Sequence, residues 1–117
     1  MKRILVVDDE KHICELYRSE LEDEGYAVSV ACSAPEGLAL VDKDPPDLIV
    51  LDIQMPGMDG IETLQMLLGS DKGIPVILNT AYSHYSEDYS TWGADAYVVK
   101  SSDTTELKQE IKRLLGE

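Results

Sequence analysis

The stretch Leu48-Ile49-Val50-Leu51-Asp52-Ile53-Gln54-Met55-Pro56-Gly57-Met58-Asp59-Gly60 decides the fold. Four apolar residues run into one aspartate, and a loop rich in proline and glycine follows. The run Leu48–Leu51 is short, β-capable and preceded by Pro45-Pro46-Asp47, which predicts a strand buried on both faces. Pro56, Gly57 and Gly60 then force a turn. Asp52 stands where that strand ends, with its carboxylate at the rim. Two readings are open for it. It opens a turn, as aspartates do in such loops, or a cation holds it there, since a lone carboxylate among apolar residues is costly to bury.

Working outward, Lys2–Val7 is a second buried strand by the same logic, and it ends in Asp8-Asp9-Glu10. Lys11–Glu24 carries Ile13, Leu16, Tyr17 and Leu21 as a helical stripe, with Gly25 as a left-handed stop. Tyr26–Ala31 reads as a strand with Val28 and Val30 on one face. Ser33-Ala34-Pro35-Glu36 is a capping box opening a helix to about Lys43, with the proline tolerated in its first turn. Beyond the central loop, Ile61, Leu64, Leu67 and Leu68 make another helical stripe, stopped by Gly69-Ser70-Asp71-Lys72-Gly73. Pro75–Asn79 is a fourth strand ending at Thr80-Ala81, and Tyr82–Trp92 a polar, weakly helical segment. Asp95–Val99 is a fifth strand ending at Lys100, and Asp103 with Glu106 caps a last helix striped by Leu107, Ile111, Leu114 and Leu115. Five strands alternate with five helices. The prediction is an α/β chain, a doubly wound parallel (βα)5 sheet of flavodoxin-like type, with strand order 2-1-3-4-5 and residues 1–117 as one domain.

Composition bounds the function. The 117 residues hold one core, and 44% hydrophobic content is enough to build it. A net charge of −13 argues against nucleic acid and anionic membranes as partners. No run reaches the roughly 18 apolar residues of a membrane span. The apolar run after Met1-Lys2-Arg3 is too short for a signal peptide. Cys14 and Cys32 form no framework and read as reduced small hydrophobes of a cytoplasmic protein. His12 and His84 lack the paired spacing of a zinc site.

The strand ends carry the chemistry. The first strand ends at Asp8-Asp9, the third at Asp52, the fourth at Thr80 and the fifth at Lys100. In an open parallel sheet, ligands sit beyond the carboxyl ends of the strands where strand order reverses. The order 2-1-3-4-5 puts strands one and three side by side at that point. Three carboxylates then converge, and they repel unless a cation joins them. Oxygen donors with room for water select Mg2+, with Mn2+ second, over zinc. Its open coordination positions suit a phosphoryl group. Taken singly, Asp8-Asp9-Glu10 reads first as a helix N-terminus where acids meet the dipole, Thr80 as a strand end and Lys100 as one surface amine among several.

With Ile4-Leu5-Val6-Val7-Asp8-Asp9-Glu10, Leu51-Asp52 through Gly60, Thr80-Ala81 and Gly93-Ala94-Asp95-Ala96-Tyr97-Val98-Val99-Lys100, the chain resembles a response-regulator receiver domain of two-component signalling. The likeness to this CheY-like superfamily covers essentially the whole chain. It implies that Asp52 accepts a phosphoryl group from the phosphohistidine of a sensor histidine kinase or a histidine phosphotransfer protein. It implies Mg2+ on Asp9 and Asp52 directly, on Asp8 largely through water, and on the Gln54 backbone carbonyl. Lys100 would pair with Asp52 and then with phosphoryl oxygens. Thr80, beside Ala81, would donate its hydroxyl, and Tyr97 would change rotamer with it. The fourth helix, fifth strand and fifth helix would form the surface switched for a protein target or output domain.

Three points depart from that pattern or compete with it. The family places proline after the lysine, often behind a cis bond, whereas Ser101-Ser102 follows Lys100 here, so a trans bond is expected. In the family the positions of Gln54 and Tyr82 flank the path of the hydrolytic water, so bulky Tyr82 either slows loss of phosphate or is a solvent-facing tyrosine with no kinetic role. His84, Tyr85, Tyr89 and Trp92 cluster in the weak helix as a partner surface, with Trp92 read rather as a core or boundary residue. The rivals are a degenerate receiver that only binds protein and a haloacid-dehalogenase-like phosphatase. The latter wants a second aspartate where Gln54 stands.

Overall fold

Alternate residues of each strand go to opposite faces, and the apolar ones divide accordingly into two layers. The computed structural model describes residues 1–52, 63, 65, 66, 73–81 and 93–117. Its strands are β1 (Arg3–Val7), β2 (Ala27–Ala31), β3 (Leu48–Leu51), β4 (Val76–Thr80) and β5 (Ala96–Val99). They form one parallel sheet in the order β2-β1-β3-β4-β5, the doubly wound flavodoxin-like arrangement expected from the alternation. On one face Leu5, Val7, Ile49, Leu51, Val76 and Leu78 pack with Val41 of α2 (Ala34–Lys43). On the other Ile4, Val6, Leu48, Val50, Ile77 and Val98 pack with Tyr17 and Leu21 of α1 (Lys11–Asp23) and with Leu107 and Ile111 of α3 (Thr105–Leu115). All four residues of β3 are buried, which is what an unbroken apolar run demands. Each such side chain contributes about 1.5–3 kcal/mol by leaving water.

Local signals hold with shifts of a residue. Gly25 stops α1 at φ 93, the left-handed region glycine enters without a Cβ clash. Ser33 Oγ accepts the Glu36 N–H at 3.3 Å, but the Glu36 carboxylate reaches back to the Cys32 N–H at 3.1 Å rather than closing on Ser33. Asp103, not Thr104 at the N-cap, takes the Thr105 N–H at 3.0 Å and so serves α3 from one residue earlier. In α1 the buried stripe is Cys14, Tyr17 and Leu21, with Ile13 and Leu16 only partly covered. β4 and β5 each begin one residue later than expected, and β4 runs on through Thr80. No cis peptide bond occurs among the described residues, so Lys100–Ser101 is trans, as expected without a proline. The stripe of Ile61, Leu64, Leu67 and Leu68, and the segment holding Tyr82, His84, Tyr85, Tyr89 and Trp92, lie outside the described residues. Among the described residues no helix is long and apolar enough to cross a membrane.

Candidate phosphoryl-transfer site

The parallel ladder continues one step past three strands and so levels three side chains. The Asp8 N–H donates to the Ala31 carbonyl at 3.0 Å, the Asp52 N–H to Val7 at 2.9 Å and the Lys100 N–H to Thr80 at 2.8 Å. Each residue directly after a strand is thereby pinned to the last residue of the strand beside it. β1 and β3 lie side by side at the reversal of strand order, so Asp8 and Asp52 are neighbours. Beneath them the Tyr17 hydroxyl donates to Asn79 Oδ1 at 2.7 Å, and Asn79 Nδ2 donates to the Val98 carbonyl at 3.0 Å. This buried link ties α1 to the ends of β4 and β5, where Thr80 and Lys100 stand.

The Lys100 ammonium gathers the charges. Its Nζ lies 2.8 Å from Asp8 Oδ2, 2.9 Å from Asp52 Oδ2 and 2.8 Å from Glu10 Oε1. Asp8 and Asp52 are each only 2% exposed. Burial pushes the Asp8 carboxyl up, against the bonds it receives from Lys100 and from the Glu10 N–H. The Glu10 carboxyl, exposed and bonded to Lys100, is held low. Burial would lower the Lys100 ammonium, but its three carboxylate partners outweigh that and hold it charged.

Asp8, Asp9, Glu10 and Asp52 each offer an oxygen, and these four oxygens lie within 4.8 Å of one another. Four clustered carboxylates, three of them on the one ammonium, leave net negative charge at the site. An all-oxygen set with two buried and two exposed members fits a hard divalent ion that keeps waters. Thr80 is fully buried at the tip of β4, and its Oγ1 has no hydrogen-bond partner among the described residues. Such a buried hydroxyl calls for an acceptor.

The structure therefore brings together Asp8, Asp9, Asp52 and Lys100. Thr80 ends the adjacent strand, with exposed Ala81 next to it. Tyr97 sits on β5, partly buried against the layer of Leu5, Leu51 and Leu78. Gln54 and Tyr82 lie outside the described residues. His12 is exposed, with Nε2 3.4 Å from Glu10. Sequence reasoning missed Glu10 as a partner of Lys100 and Tyr17–Asn79 as the support. The third acid after β1 was the available signal for Glu10, and a lone asparagine in an apolar strand was the signal for Asn79. Cys32 is exposed, so reading it as a small hydrophobe needs correction: β2 ends at Ala31 and leaves it beyond the core.

The family profile described as "Response regulator receiver domain" matches residues 4–112. Response regulator MprA of Mycobacterium tuberculosis is 37% identical over 115 residues, which are 97% of this chain and 50% of that protein. The chain thus spans about half the length of such curated relatives. Sporulation initiation phosphotransferase F of Bacillus subtilis is 35% identical over 97% of this chain and 94% of its own length. The crystal structure of response regulator TrrA of Thermotoga maritima, in complex with Mg(2+)-BeF, superposes with a TM-score of 0.90 at 48% identity, covering 97% of this chain and 99% of that one. TrrA in complex with histidine kinase ThkA superposes at 0.89 and 49% identity, covering 98% and 99%.

Proposed function

The chain belongs to the response regulator receiver domain family of two-component signalling, a signalling module and not a catalytic enzyme, and we propose that Asp52 is its phosphoacceptor. The observation that carries this is the Lys100 ammonium within 2.9 Å of two buried carboxylates, Asp8 and Asp52. In this reading an Asp52 carboxylate oxygen attacks the phosphorus of a phosphohistidine in line. The P–N bond breaks, and the imidazole leaves with the electron pair. A carboxylate is a weak nucleophile, so position and charge neutralisation do most of the work. Asp8, Asp9, Asp52 and the Gln54 carbonyl would hold Mg2+, with Mn2+ second. When bound, the ion neutralises charge on the transferring phosphoryl oxygens.

Lys100 stays charged through its carboxylate partners and is already placed to exchange Asp52 for a phosphoryl oxygen. Thr80 supplies the donor that its burial leaves without an acceptor. Drawing Thr80 toward the phosphate moves the β4 end, and Tyr97 on the next strand adjusts in turn. The population would then shift on the fourth-helix, fifth-strand and fifth-helix face that the resemblance implies, which would engage a protein target or output domain. Tyr82, two residues past Thr80, would screen the acyl phosphate and slow its hydrolysis.

The donor would be a sensor histidine kinase or a histidine phosphotransfer protein. The complex of TrrA with ThkA and the likeness to the sporulation phosphotransferase support that choice. A cytoplasmic setting for residues 1–117 as a single receiver domain completes the reading.

The test is incubation with labelled acetyl phosphate and Mg2+. One phosphoryl group per chain is expected on the native protein, and none with chelator. Failure to label at any Mg2+ concentration would leave a receiver that acts by protein binding alone.

A further inference from the structure

Beside Asp8, the two cysteines share one groove. Cys14 on α1 is buried, and Cys32, one residue past β2, is exposed. Asp8 is their common neighbour. The Cys14 thiol donates to the Asp8 carbonyl oxygen at 3.3 Å. The Asp8 N–H donates to the carbonyl of Ala31, the residue before Cys32, at 3.0 Å. β1 and β2 pair Val7 with Ala31, so Cys32 falls one step on, across from Asp8. Adjacent strands stand about 4.8 Å apart, so the Cys32 backbone lies about that far from Asp8, the residue whose carbonyl accepts the Cys14 thiol. Both cysteines line one groove of about 160 Å³ between α1 and the end of β2. Lys11 and Arg18 also line it and offer cations to an anionic reagent, with Glu15 opposing.

We propose that Cys14 and Cys32 form a dithiol modification site, closed to an intramolecular disulfide by an anionic low-molecular-weight disulfide such as glutathione disulfide. Exposure puts Cys32 first. It loses its proton to solvent, and its thiolate attacks one sulfur of glutathione disulfide. That S–S bond breaks, and one glutathione thiolate leaves and takes up a proton. Cys14 then gives up its proton, attacks the Cys32 sulfur of the mixed disulfide and expels the second glutathione. Two cysteine thiols lose two electrons and two protons, and one glutathione disulfide becomes two glutathione thiols. The bridge fastens the α1 face to the end of β2 beside Asp8.

The folded chain is incubated with glutathione disulfide, without Mg2+ or phosphodonor, so the outcome is independent of the phosphoacceptor reading. Both thiols are expected to vanish from an Ellman titration, the intact mass to fall by two hydrogens, and dithiothreitol to restore both. Cys14→Ser is expected to stop at one glutathione on Cys32. A wild type that keeps both thiols, rests as a single glutathione adduct or forms Cys32-linked dimers overturns the proposal. If Cys14→Ser does not fold, peptide mapping of the oxidised wild type decides: a Cys14–Cys32 crosslink supports the site, and its absence overturns it.

Discussion

At the rim where the strands begin, Asp47 and Asp95 each have a backbone donor of their own. Asp47 accepts the Arg3 N–H at 2.7 Å, and Asp95 accepts the Val76 N–H at 2.9 Å. Arg3 reaches the Asp44 carboxylate and the Pro45 carbonyl, each at 2.6 Å, on an exposed surface. At the rim where the strands end, Asp8 and Asp52 are buried and share one ammonium with Glu10. The residue type is the same and the electrostatics are opposite. A solvated acid paired to a backbone N–H closes an element at little cost. Buried acids crowded on one cation store repulsion that a second cation, or a phosphoryl group with its metal, can relieve.

The largest effect should separate the rims by chemistry. Asp52→Asn is expected to abolish labelling by acetyl phosphate, while Asp95→Asn labels like the wild type. Persistent stoichiometric labelling of Asp52→Asn would remove the distinction. Next comes stability without metal. Lys100→Met leaves buried carboxylates uncompensated and should cost about 3–5 kcal/mol in urea unfolding with chelator present. Arg3→Ala, between exposed partners, should cost no more than about 1 kcal/mol. Equal losses would mean that Lys100 sits in an ordinary surface pair.

Much of this contrast was legible before any coordinates. Leu48–Leu51 is apolar at every position, which only a strand covered on both faces tolerates, and that places Asp52 at its rim. Strand alternation then fixes which rim holds Asp8, Thr80 and Lys100. Less legible was anything that depends on rotamer or helical phase. Glu10 joins Lys100 across 90 residues, and nothing local says that its side chain turns inward. Ile13, Leu16, Tyr17 and Leu21 all pack on one layer, as their spacing predicts, but nothing local says that Cys14 rather than Ile13 is the residue buried completely. Asn79 looked like the end of a strand because its partner Tyr17 comes from another layer.

A smaller effect sharpens the comparison by sign. Burial raises the Asp8 carboxyl, so its ionised form is a cost at neutral pH, and Lys100 keeps two other carboxylates if it is removed. Asp8→Asn should therefore raise the melting temperature of the metal-free chain. The wild type should gain melting temperature with Mg2+ by binding linkage, and the variant should lose that gain. A destabilised Asp8→Asn, measured in chelator, would make the cluster a structural network like that of Arg3.

The smallest expected effect belongs to an acid of the other kind. Asp103 Oδ1 accepts the Thr105 N–H at 3.0 Å and the Thr105 hydroxyl at 2.6 Å, and these bonds hold its carboxyl below the usual 3.8. A carboxyl lowered by folding stabilises above its unfolded value and loses that contribution as pH falls through the lowered one. Asp103→Ala should thus melt slightly below the wild type at neutral pH. The gap should begin to narrow below the ordinary aspartate value and close once the folded-state carboxyl is protonated. Melting curves through the acid range read this directly. A gap that stays constant with pH would assign the start of α3 to side-chain shape, and the simple rule of one exposed acid serving one backbone donor would fail at the rim where the crowded acids stand.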